Sequence, residues 1–287
     1  MSTPTLLRRA VPPAADGAIV RTTPTDAGWQ YLSFATYRMT EGKTIHRPGD
    51  EDEVVVLVLE GQATIRAGEQ EFADLGTRGT VFGGPPAPVV LVEPRLAIEV
   101  ATRDAALVVI ASAPGGAVRA TRTIGPADVL VESRGSGNTA RRINHLLSPA
   151  TEAGRLIAVE VFTPGGNWSS FPPHKHDTED PPREAYLEEV YLYRFARQSG
   201  FAVQRIYTID GTLDETITVH DGDLVLVPRG YHVVAAAPGY DCYYLNVMAG
   251  HGREWRFTVD PDHAWLMDWD PSRPRDATSP DADGETR

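Results

Sequence analysis

The sequence has few of the features that mark membrane or secreted proteins. It contains one cysteine, Cys242, so no disulfide can form within the chain, which agrees with a reducing compartment. No apolar run approaches the about 18 residues of a membrane-spanning helix, and the first residues lack the apolar segment of a secretory signal. We therefore expect a cytoplasmic protein without a membrane partner.

Positive charge is also scarce. Lys and Arg total 27 against 39 Asp and Glu, which gives a net charge of −12, and the basic residues form no long run. We therefore expect no nucleic-acid partner. Of the 287 residues, 41% are hydrophobic and 23% are charged, the balance of a globular protein with a sizeable core.

Short β-branched runs dominate the rest of the chain, and long amphipathic helices are absent. Runs such as EVVVLVLEG, PVVLVE and ALVVIASA are separated by Gly, Pro and Asp at the spacing of an all-β sandwich or barrel. A second strand-rich series begins near Leu156. After it, DPDHAWLMDW predicts a short peripheral helix capped by Asp260. The pattern therefore predicts an all-β fold in two halves.

The two halves resemble each other, which predicts a diverged duplication. Glu53 opens a strand run much as Glu189 opens EVYLYRF. At the position corresponding to His232 the first half has Val89, and only His46 lies upstream of Glu53. We therefore predict that the first half binds no metal, and we interpret Glu53 as a strand-edge carboxylate in the acidic run GDEDE.

These observations divide the chain into five segments. Small residues and proline dominate the start, and the end is rich in Pro, Asp and Ser with almost no apolar residues. The predicted segments are a flexible arm at residues 1–16, a barrel without metal at 17–116, a connector at 117–149, a metal-binding barrel at 150–270 and a disordered tail at 271–287.

Three histidines and a glutamate in the second half form a candidate metal site. His174 and His176 are one residue apart, so on an extended strand both imidazoles leave the same face. Glu189 and His232 border later strand runs, and three imidazoles with one carboxylate suit one divalent ion such as Zn, Mn, Fe or Co. Strand parity alone does not choose between Glu188 and Glu189.

Longer motifs in the second half add a family resemblance. The half resembles a cupin, a small jelly-roll barrel with an H-x-H strand, a Glu and a later His. The stretches PGGNWSSFPPHKHD, LEEVYLYR, GFAVQRIYT, VPRGYH and APGYDCYYLNVMAG resemble the 5-deoxy-glucuronate isomerase family of inositol catabolism, relatives of 4-deoxy-threo-5-hexosulose-uronate ketol-isomerase. The resemblance covers roughly residues 20–270.

The resemblance implies both a fold and a reaction. The fold would be a bicupin of two jelly-roll barrels, and the reaction an aldose–ketose isomerisation of 5-deoxy-glucuronate to 2-deoxy-5-keto-gluconate. The metal, with zinc as our first choice, would be held by His174, His176, Glu189 and His232, and Glu188 remains the alternative carboxylate. The small-molecule partner would be a deoxy-uronic acid, and uncovered strand edges would allow a homo-oligomer.

Isomerisation requires groups that move protons and stabilise negative charge. Glu189 and His232 are catalytic candidates as metal ligands. Tyr244 and Asp177 are candidates for proton transfer, with Tyr191 as a second tyrosine. The structural alternatives are core tyrosines with bonded hydroxyls and an aspartate that caps a loop.

The substrate carboxylate requires N–H donors. Candidates near the motifs are Lys175, Arg141, Arg142 and Arg205, although most arginines on such a surface are simply solvated.

Two further functions use the same residues. An Fe(II)-dependent cupin dioxygenase would consume oxygen, whereas an isomerase works under strict anaerobiosis. A non-catalytic sugar-acid binding bicupin would bind a uronate without converting it.

Overall fold

The computed structural model describes residues 5–115, 118 and 120–270. Within these ranges the chain forms 22 strands, one short α-helix and three 3₁₀ helices. The strands of the first half are β1 (Leu7–Arg8), β2 (Ala18–Thr22), β3 (Ser33–Met39), β4 (Thr44–Arg47), β5 (Asp52–Glu60), β6 (Ala63–Ala67), β7 (Gln70–Leu75), β8 (Val89–Val92), β9 (Ile98–Ala101), β10 (Ala106–Pro114) and β11 (Arg122–Ile124). Those that follow are β12 (Leu130–Arg134), β13 (Arg141–Leu147), β14 (Ile157–Thr163), β15 (Trp168–Lys175), β16 (Leu187–Phe195), β17 (Phe201–Tyr207), β18 (Asp214–His220), β19 (Leu224–Val227), β20 (Tyr231–Ala236), β21 (Cys242–Gly250) and β22 (Thr258–Val259). The helices are α1 (Pro24–Ala27) and the 3₁₀ segments Pro126–Asp128, Gly137–Thr139 and Pro261–Met267.

The strands form two barrels of two sheets each. In the first barrel, a six-stranded sheet has the order β11-β8-β5-β10-β3-β2 and a four-stranded sheet the order β4-β9-β6-β7. In the second barrel, a seven-stranded sheet has the order β1-β19-β16-β21-β14-β13-β12 and a five-stranded sheet the order β18-β17-β20-β15-β22. This architecture confirms the predicted all-β fold in two halves.

The barrels pack against each other through their larger sheets. Alternate residues of a strand face opposite sides, and β5 is buried on both. Val55 and Leu57 lie in a hydrophobic core that contains residues of both barrels, whereas Val54 and Val56 lie in the core of the first barrel. A strand that is buried on both faces has apolar residues at successive positions, which is the pattern of EVVVLVLEG.

Strand β16 in the second barrel shows the same division. Val190 and Leu192 lie in the core shared between the barrels, and Tyr191 and Tyr193 lie in the core of the second barrel. Because Glu189 has the parity of the tyrosines, its side chain faces the interior of its own barrel. Glu188 has the opposite parity and faces the first barrel.

Glu53 and Glu188 bind the two barrels together reciprocally. The Glu53 carboxylate accepts hydrogen bonds from three successive backbone N–H groups of the second barrel, at residues 154–156. The Glu188 carboxylate accepts three from the first barrel, at residues 30–32. Both side chains are 0% exposed and β5 lies between β8 and β10, so the interpretation of Glu53 as a strand-edge carboxylate is wrong: its charge is satisfied by buried N–H donors.

This reciprocity also corrects the register of the predicted duplication. Glu53 matches Glu188 in its contacts, and not Glu189 as the local sequence similarity suggested. The first-barrel residue that corresponds to Glu189 is therefore Val54, which is buried among apolar side chains.

Two predicted segment boundaries differ from the structure. Part of the arm at residues 1–16 is held in place, because β1 pairs with β19 of the second barrel and Leu6 is buried. The connector at 117–149 contains β12 and β13, which extend the seven-stranded sheet. In both cases, strand pairing with distant residues overrides a local composition typical of loops. The predicted tail at 271–287 lies outside the described residues.

The predicted helix after Trp255 is the 3₁₀ segment Pro261–Met267, and the Asp260 side chain accepts a hydrogen bond from the backbone N–H of Asp262. Across the described ranges, we find no helix with the length and apolar character required to span a bilayer.

Candidate functional site

Three histidines converge inside the second barrel. His174 lies on β15 directly opposite His232 on β20, and His176 follows β15 by one residue. The nearest ring nitrogens of the three side chains all lie within 4.8 Å of one another. Among the described residues, this is the only group of three or more potential metal ligands at such short separation.

The backbone holds each imidazole with the same nitrogen toward the centre. Each Nδ1 lies 2.9–3.3 Å from a carbonyl oxygen and donates its proton there, so in the neutral ring each Nε2 is the nitrogen that carries the lone pair. His232 Nε2 is buried and makes no hydrogen bond, although it lies 3.2 Å from a Glu189 oxygen. The carbonyl groups belong to Pro172, Leu187 and Gly230.

Glu189 completes the cluster. Its Oε2 lies 3.0 Å from His176 Nε2 and 3.2 Å from His232 Nε2. Burial alone would raise the pKa of Glu189, but its interactions with these two histidines lower it to about 2. Burial, reinforced by the neighbouring histidines, lowers the pKa of His174 to about 3.

These side chains fit a divalent metal ion. Metals bind neutral imidazoles and ionised carboxylates, the forms that the pKa values of His174 and Glu189 favour. The unpartnered Nε2 of His232 is a buried lone pair that a cation would satisfy. The structure brings Glu189, and not Glu188, to the three histidines because the two glutamates face opposite sides of β16.

A cavity of about 360 Å³ opens beside the cluster. This volume lies within the range of about 300–1,000 Å³ that small-molecule sites occupy. Phe257 and Trp255 contribute apolar walls, and Leu266 and Trp269, from the segment after β22, close one side. Polar groups reach the cavity from His174, Glu189, Ser170, Tyr191, Tyr244 and Arg141.

Arg141 lines this cavity, as predicted for a carboxylate-binding residue. It is 8% exposed, and its guanidinium donates hydrogen bonds to the carbonyl oxygens of Thr139 and Phe171, each at 2.9 Å. No salt bridge joins it to a carboxylate in the part of the chain that the structure describes. Burial lowers the pKa of Arg141, as expected for a guanidinium without a counter-ion.

Arg142 and Arg205 do not reach the cavity. The Arg142 guanidinium lies over the Phe162 ring, 4.1 Å from its centroid. Arg205 forms a salt bridge with Asp214 at 2.9 Å on the barrel exterior. Both were predicted as substrate-binding candidates. Each side chain points away from the cavity, because alternate residues of a strand face opposite sides and these two lie on the side opposite to the cavity.

Lys175 and Asp177 form part of a separate ion cluster. The Lys175 ammonium lies 2.6 Å from Asp177 and 2.8 Å from Glu184. Asp177 also accepts a hydrogen bond from the backbone N–H of Gly230 at 2.7 Å, and neither residue lines the cavity. The structure therefore pairs the charges of Lys175 and Asp177 with each other and does not bring them to this cavity, and their roles as carboxylate binder and proton carrier stay predictions.

Tyr244 lines the cavity as predicted, and it is accompanied by a residue that the sequence did not indicate. Ser170 Oγ lies 2.9 Å from the Tyr191 hydroxyl and 3.4 Å from the Tyr244 hydroxyl. The strand alternation that locates His174 fails here, because β15 is irregular between residues 169 and 174. Sequence periodicity therefore carried no signal for Ser170.

Known proteins share this sequence and architecture. A 5-deoxy-glucuronate isomerase of Geobacillus thermodenitrificans is 45% identical over 256 residues, which cover 89% of this chain and 93% of that protein. A crystal structure of an IolB-like protein from Salmonella typhimurium superposes with a TM-score of 0.88 at 40% identity, covering 92% of this chain and 99% of that one. An oxalate decarboxylase of Lactobacillus farciminis, at 11% identity and a TM-score of 0.65, shares the fold alone and covers 92% and 90% of the two chains.

The model of the KduI/IolB family matches residues 6–266, which include both barrels, the three histidines and Glu189. The chain therefore belongs to the KduI/IolB family.

Proposed function

We propose that this protein is a metal-dependent aldose–ketose isomerase that converts 5-deoxy-glucuronate to 2-deoxy-5-keto-gluconate. The observation that carries the proposal is one cavity lined by His174, Glu189 and an arginine without a salt bridge, Arg141, beside the cluster that His174 forms with His176 and His232. The substrate has an oxygen pair at one end and a carboxylate at the other. The relatives named 5-deoxy-glucuronate isomerase support the choice of substrate.

His174, His176, His232 and Glu189 would hold the metal, for which zinc is our first choice; manganese, iron and cobalt accept the same ligands. When bound, a divalent ion supplies a positive charge that stabilises negative charge on the reacting oxygens. The carbonyl groups bonded to the histidine Nδ1 atoms keep the three rings in place. The ring orientation therefore does not depend on the ion.

Arg141 is suited to bind the substrate carboxylate. Its two described hydrogen bonds go to neutral carbonyl oxygens, so its charge remains without an anionic partner. A carboxylate accepts N–H groups from a guanidinium with matching geometry. Binding the acid group at Arg141 orients the sugar chain so that its carbonyl end reaches the histidine cluster.

Aromatic side chains wall the cavity beside His174. Phe257 lies with its ring centroid 4.7 Å from that of His174, and Trp269 packs against Phe171 at 6.2 Å. Excluding water strengthens electrostatic interactions within the site. Tyr244 is our candidate for proton transfer, and burial raises its pKa, so its hydroxyl stays protonated near neutral pH.

The first barrel is proposed to lack a metal and to support the second. Val54 occupies the position that corresponds to Glu189, and an apolar side chain cannot ligate a cation. Through Glu188, the first barrel holds the start of β16, the strand that carries Glu189.

The test is metal analysis of the purified protein together with an anaerobic assay for conversion of 5-deoxy-glucuronate. We expect about one equivalent of a divalent metal per chain, loss of turnover on chelation, and product formation without oxygen uptake. Turnover that requires oxygen would favour an Fe(II)-dependent dioxygenase. Tight binding of the uronate without conversion would favour a non-catalytic sugar-acid binding bicupin.

A further inference from the structure

Ser170 occupies an irregular part of the strand that carries His174. Ser169 and His174 pair with residues of β20 that are two positions apart, so residues 170–173 bulge out of the ladder. Ser170 begins this bulge in the left-handed region of backbone conformation, with φ of 50°. Bulges next to active sites re-aim side chains, and non-glycine residues at positive φ are unfavourable unless the surroundings hold them. The bulge directs Ser170 into the cavity.

Two tyrosines hold the Ser170 hydroxyl. Its Oγ lies 2.9 Å from the Tyr191 hydroxyl and 3.4 Å from that of Tyr244, and Tyr244 also bonds to the buried Ser169. Each phenol hydroxyl has one proton that it can donate to the serine oxygen. A serine hydroxyl has one proton and two acceptor lone pairs. Ser170 can therefore accept from both phenols and still present its own proton to a ligand.

The position of the hydroxyl relative to the metal ligands gives it a role. The Tyr191 ring centroid lies 5.8 Å from that of His232, and Ser170, Tyr191 and Glu189 line the same cavity. The hydroxyl group therefore shares one cavity with Glu189 and bonds to a tyrosine whose ring lies next to His232, so a sugar bound in this cavity is within its surroundings.

We propose that Ser170 is a catalytic residue that transfers the hydroxyl proton between the two reacting oxygens of the substrate, with Tyr191 and Tyr244 holding it in position. This inference rests on the proposed isomerase function.

The proton balance explains why such a residue is needed. Conversion of an aldose to a ketose moves one hydrogen from C2 to C1, while one proton leaves O2 and one proton joins O1. If the C2 hydrogen moves as a proton, the C2–H electron pair first becomes the C1–C2 double bond of an enediol, and the O2–H pair later forms the new carbonyl. If it moves as a hydride, the electron pair travels with it. Both routes require the same transfer from O2 to O1.

Ser170 can carry out this transfer without net change. It gives its proton to O1 as negative charge develops there, and it receives the proton that leaves O2. Between these two proton transfers, the two phenols donate hydrogen bonds to the serine oxygen and stabilise the negative charge on it. No oxidant, reductant or additional reactant is needed.

The backbone conformation makes Ser170→Gly a clean test. Glycine adopts positive φ without steric penalty, so this variant removes the hydroxyl and relieves the backbone strain together. Asp74 provides a matched control, because it has φ of 53° and is exposed in the first barrel, away from the cavity. Asp74→Gly makes the same kind of change where no catalytic role is proposed.

The experiment measures kcat, KM, metal content and the solvent deuterium isotope effect on kcat for wild type, Ser170→Gly and Asp74→Gly. General acid–base groups contribute about 10²–10⁴-fold, so we expect kcat of Ser170→Gly to fall at least about 100-fold with KM changed less than about threefold. Metal content stays at the wild-type value. The isotope effect increases because the transfer between oxygens becomes rate-limiting. Asp74→Gly behaves as wild type in all four measurements.

Several results would overturn the assignment. If kcat of Ser170→Gly stays within about threefold of wild type, Ser170 does not carry the proton. A fall in kcat that accompanies loss of metal, or an unchanged isotope effect, assigns Ser170 a structural role instead. A wild-type protein that does not convert 5-deoxy-glucuronate would overturn the proposed function and this assignment together. An active wild type with an equally active Ser170→Gly variant would overturn this assignment alone, so the two failures are distinguishable.

Discussion

The Glu188→Gln variant separates the roles of two adjacent carboxylates on β16. Glu188 Oε2 accepts hydrogen bonds from the N–H groups of Tyr31 and Leu32, and Oε1 accepts one from Gln30, at 2.6–2.9 Å. An amide has one acceptor oxygen. With that oxygen in the place of Oε2, two of the three backbone bonds survive, and the amide nitrogen faces the Gln30 N–H group, which loses its acceptor. The Tyr186 hydroxyl, which donates to Oε1 at 3.3 Å, can instead accept a hydrogen bond from the amide.

The expected loss of stability follows from that one bond. A hydrogen bond to a charged group contributes about 1.5–3 kcal/mol, so the unfolding free energy should fall by about this amount. For chains of roughly this size, 1 kcal/mol shifts Tm by about 2–4 °C, which predicts a Tm lowered by about 3–12 °C. Circular dichroism measures this transition. A chelator is added so that metal binding does not contribute to the stability of the folded state.

Metal retention provides the second measurement. Glu188→Gln should retain the metal content of wild type, because its side chain faces the first barrel and not the histidines. Glu189→Gln should show the opposite behaviour: its metal content falls, and its Tm in chelator changes less than that of Glu188→Gln. A Glu188→Gln protein that unfolds at the wild-type temperature but loses its metal would refute this assignment of roles.

Glu53→Gln is the matched control. Its Oε1 accepts from the N–H groups of Arg155 and Leu156, and its Oε2 from that of Gly154, so the amide again retains two of three bonds. We expect the same range of Tm loss as for Glu188→Gln, with metal content unchanged. Different losses in the two variants would contradict the reciprocal contact between the barrels.

Two further predictions concern the cavity. Arg141→Gln should raise KM about 10–100-fold, because charge-assisted hydrogen bonds contribute about 1.5–3 kcal/mol and each 1.4 kcal/mol is tenfold in affinity. Arg142→Gln, whose side chain lies over Phe162 outside the cavity, should leave KM unchanged; equal effects in the two variants would contradict the carboxylate site. His232→Ala should abolish metal retention and turnover while the far-ultraviolet circular dichroism stays that of wild type, and full activity in this variant would refute the metal assignment.

Local pattern was sufficient to predict most strands of the fold, although not β1 in the predicted arm or β11, β12 and β13 in the predicted connector. Short β-branched runs separated by turn residues predicted strands in both halves, and the structure has strands at those runs. The alternation of His174 and His176 predicted that both face the same side, and the structure brings them together with His232. These predictions depend only on the two-residue period of a strand, which is a property of the sequence itself.

The roles of most charged residues could not be predicted in this way. Lys175 and Asp177 are adjacent to a metal-ligand motif, yet they pair with each other and with Glu184. Arg141 and Arg142 are neighbours, yet only the first lines the cavity. A charged side chain binds whichever partner the fold brings within about 4 Å, and that partner is usually distant in sequence.

The sequence alone determined most of the strand content, the presence of two related halves and the three histidines of the candidate metal site, because each is encoded in local periodicity or in a contiguous motif. Tertiary structure decided that Glu188 and Glu53 join the barrels, that β12 and β13 extend the second barrel and that Ser170 reaches the cavity. Each of those outcomes depends on which distant strands pair, and on which face of a strand meets the other barrel. Pairing energies summed over the whole chain determine that choice, and no single segment contains it.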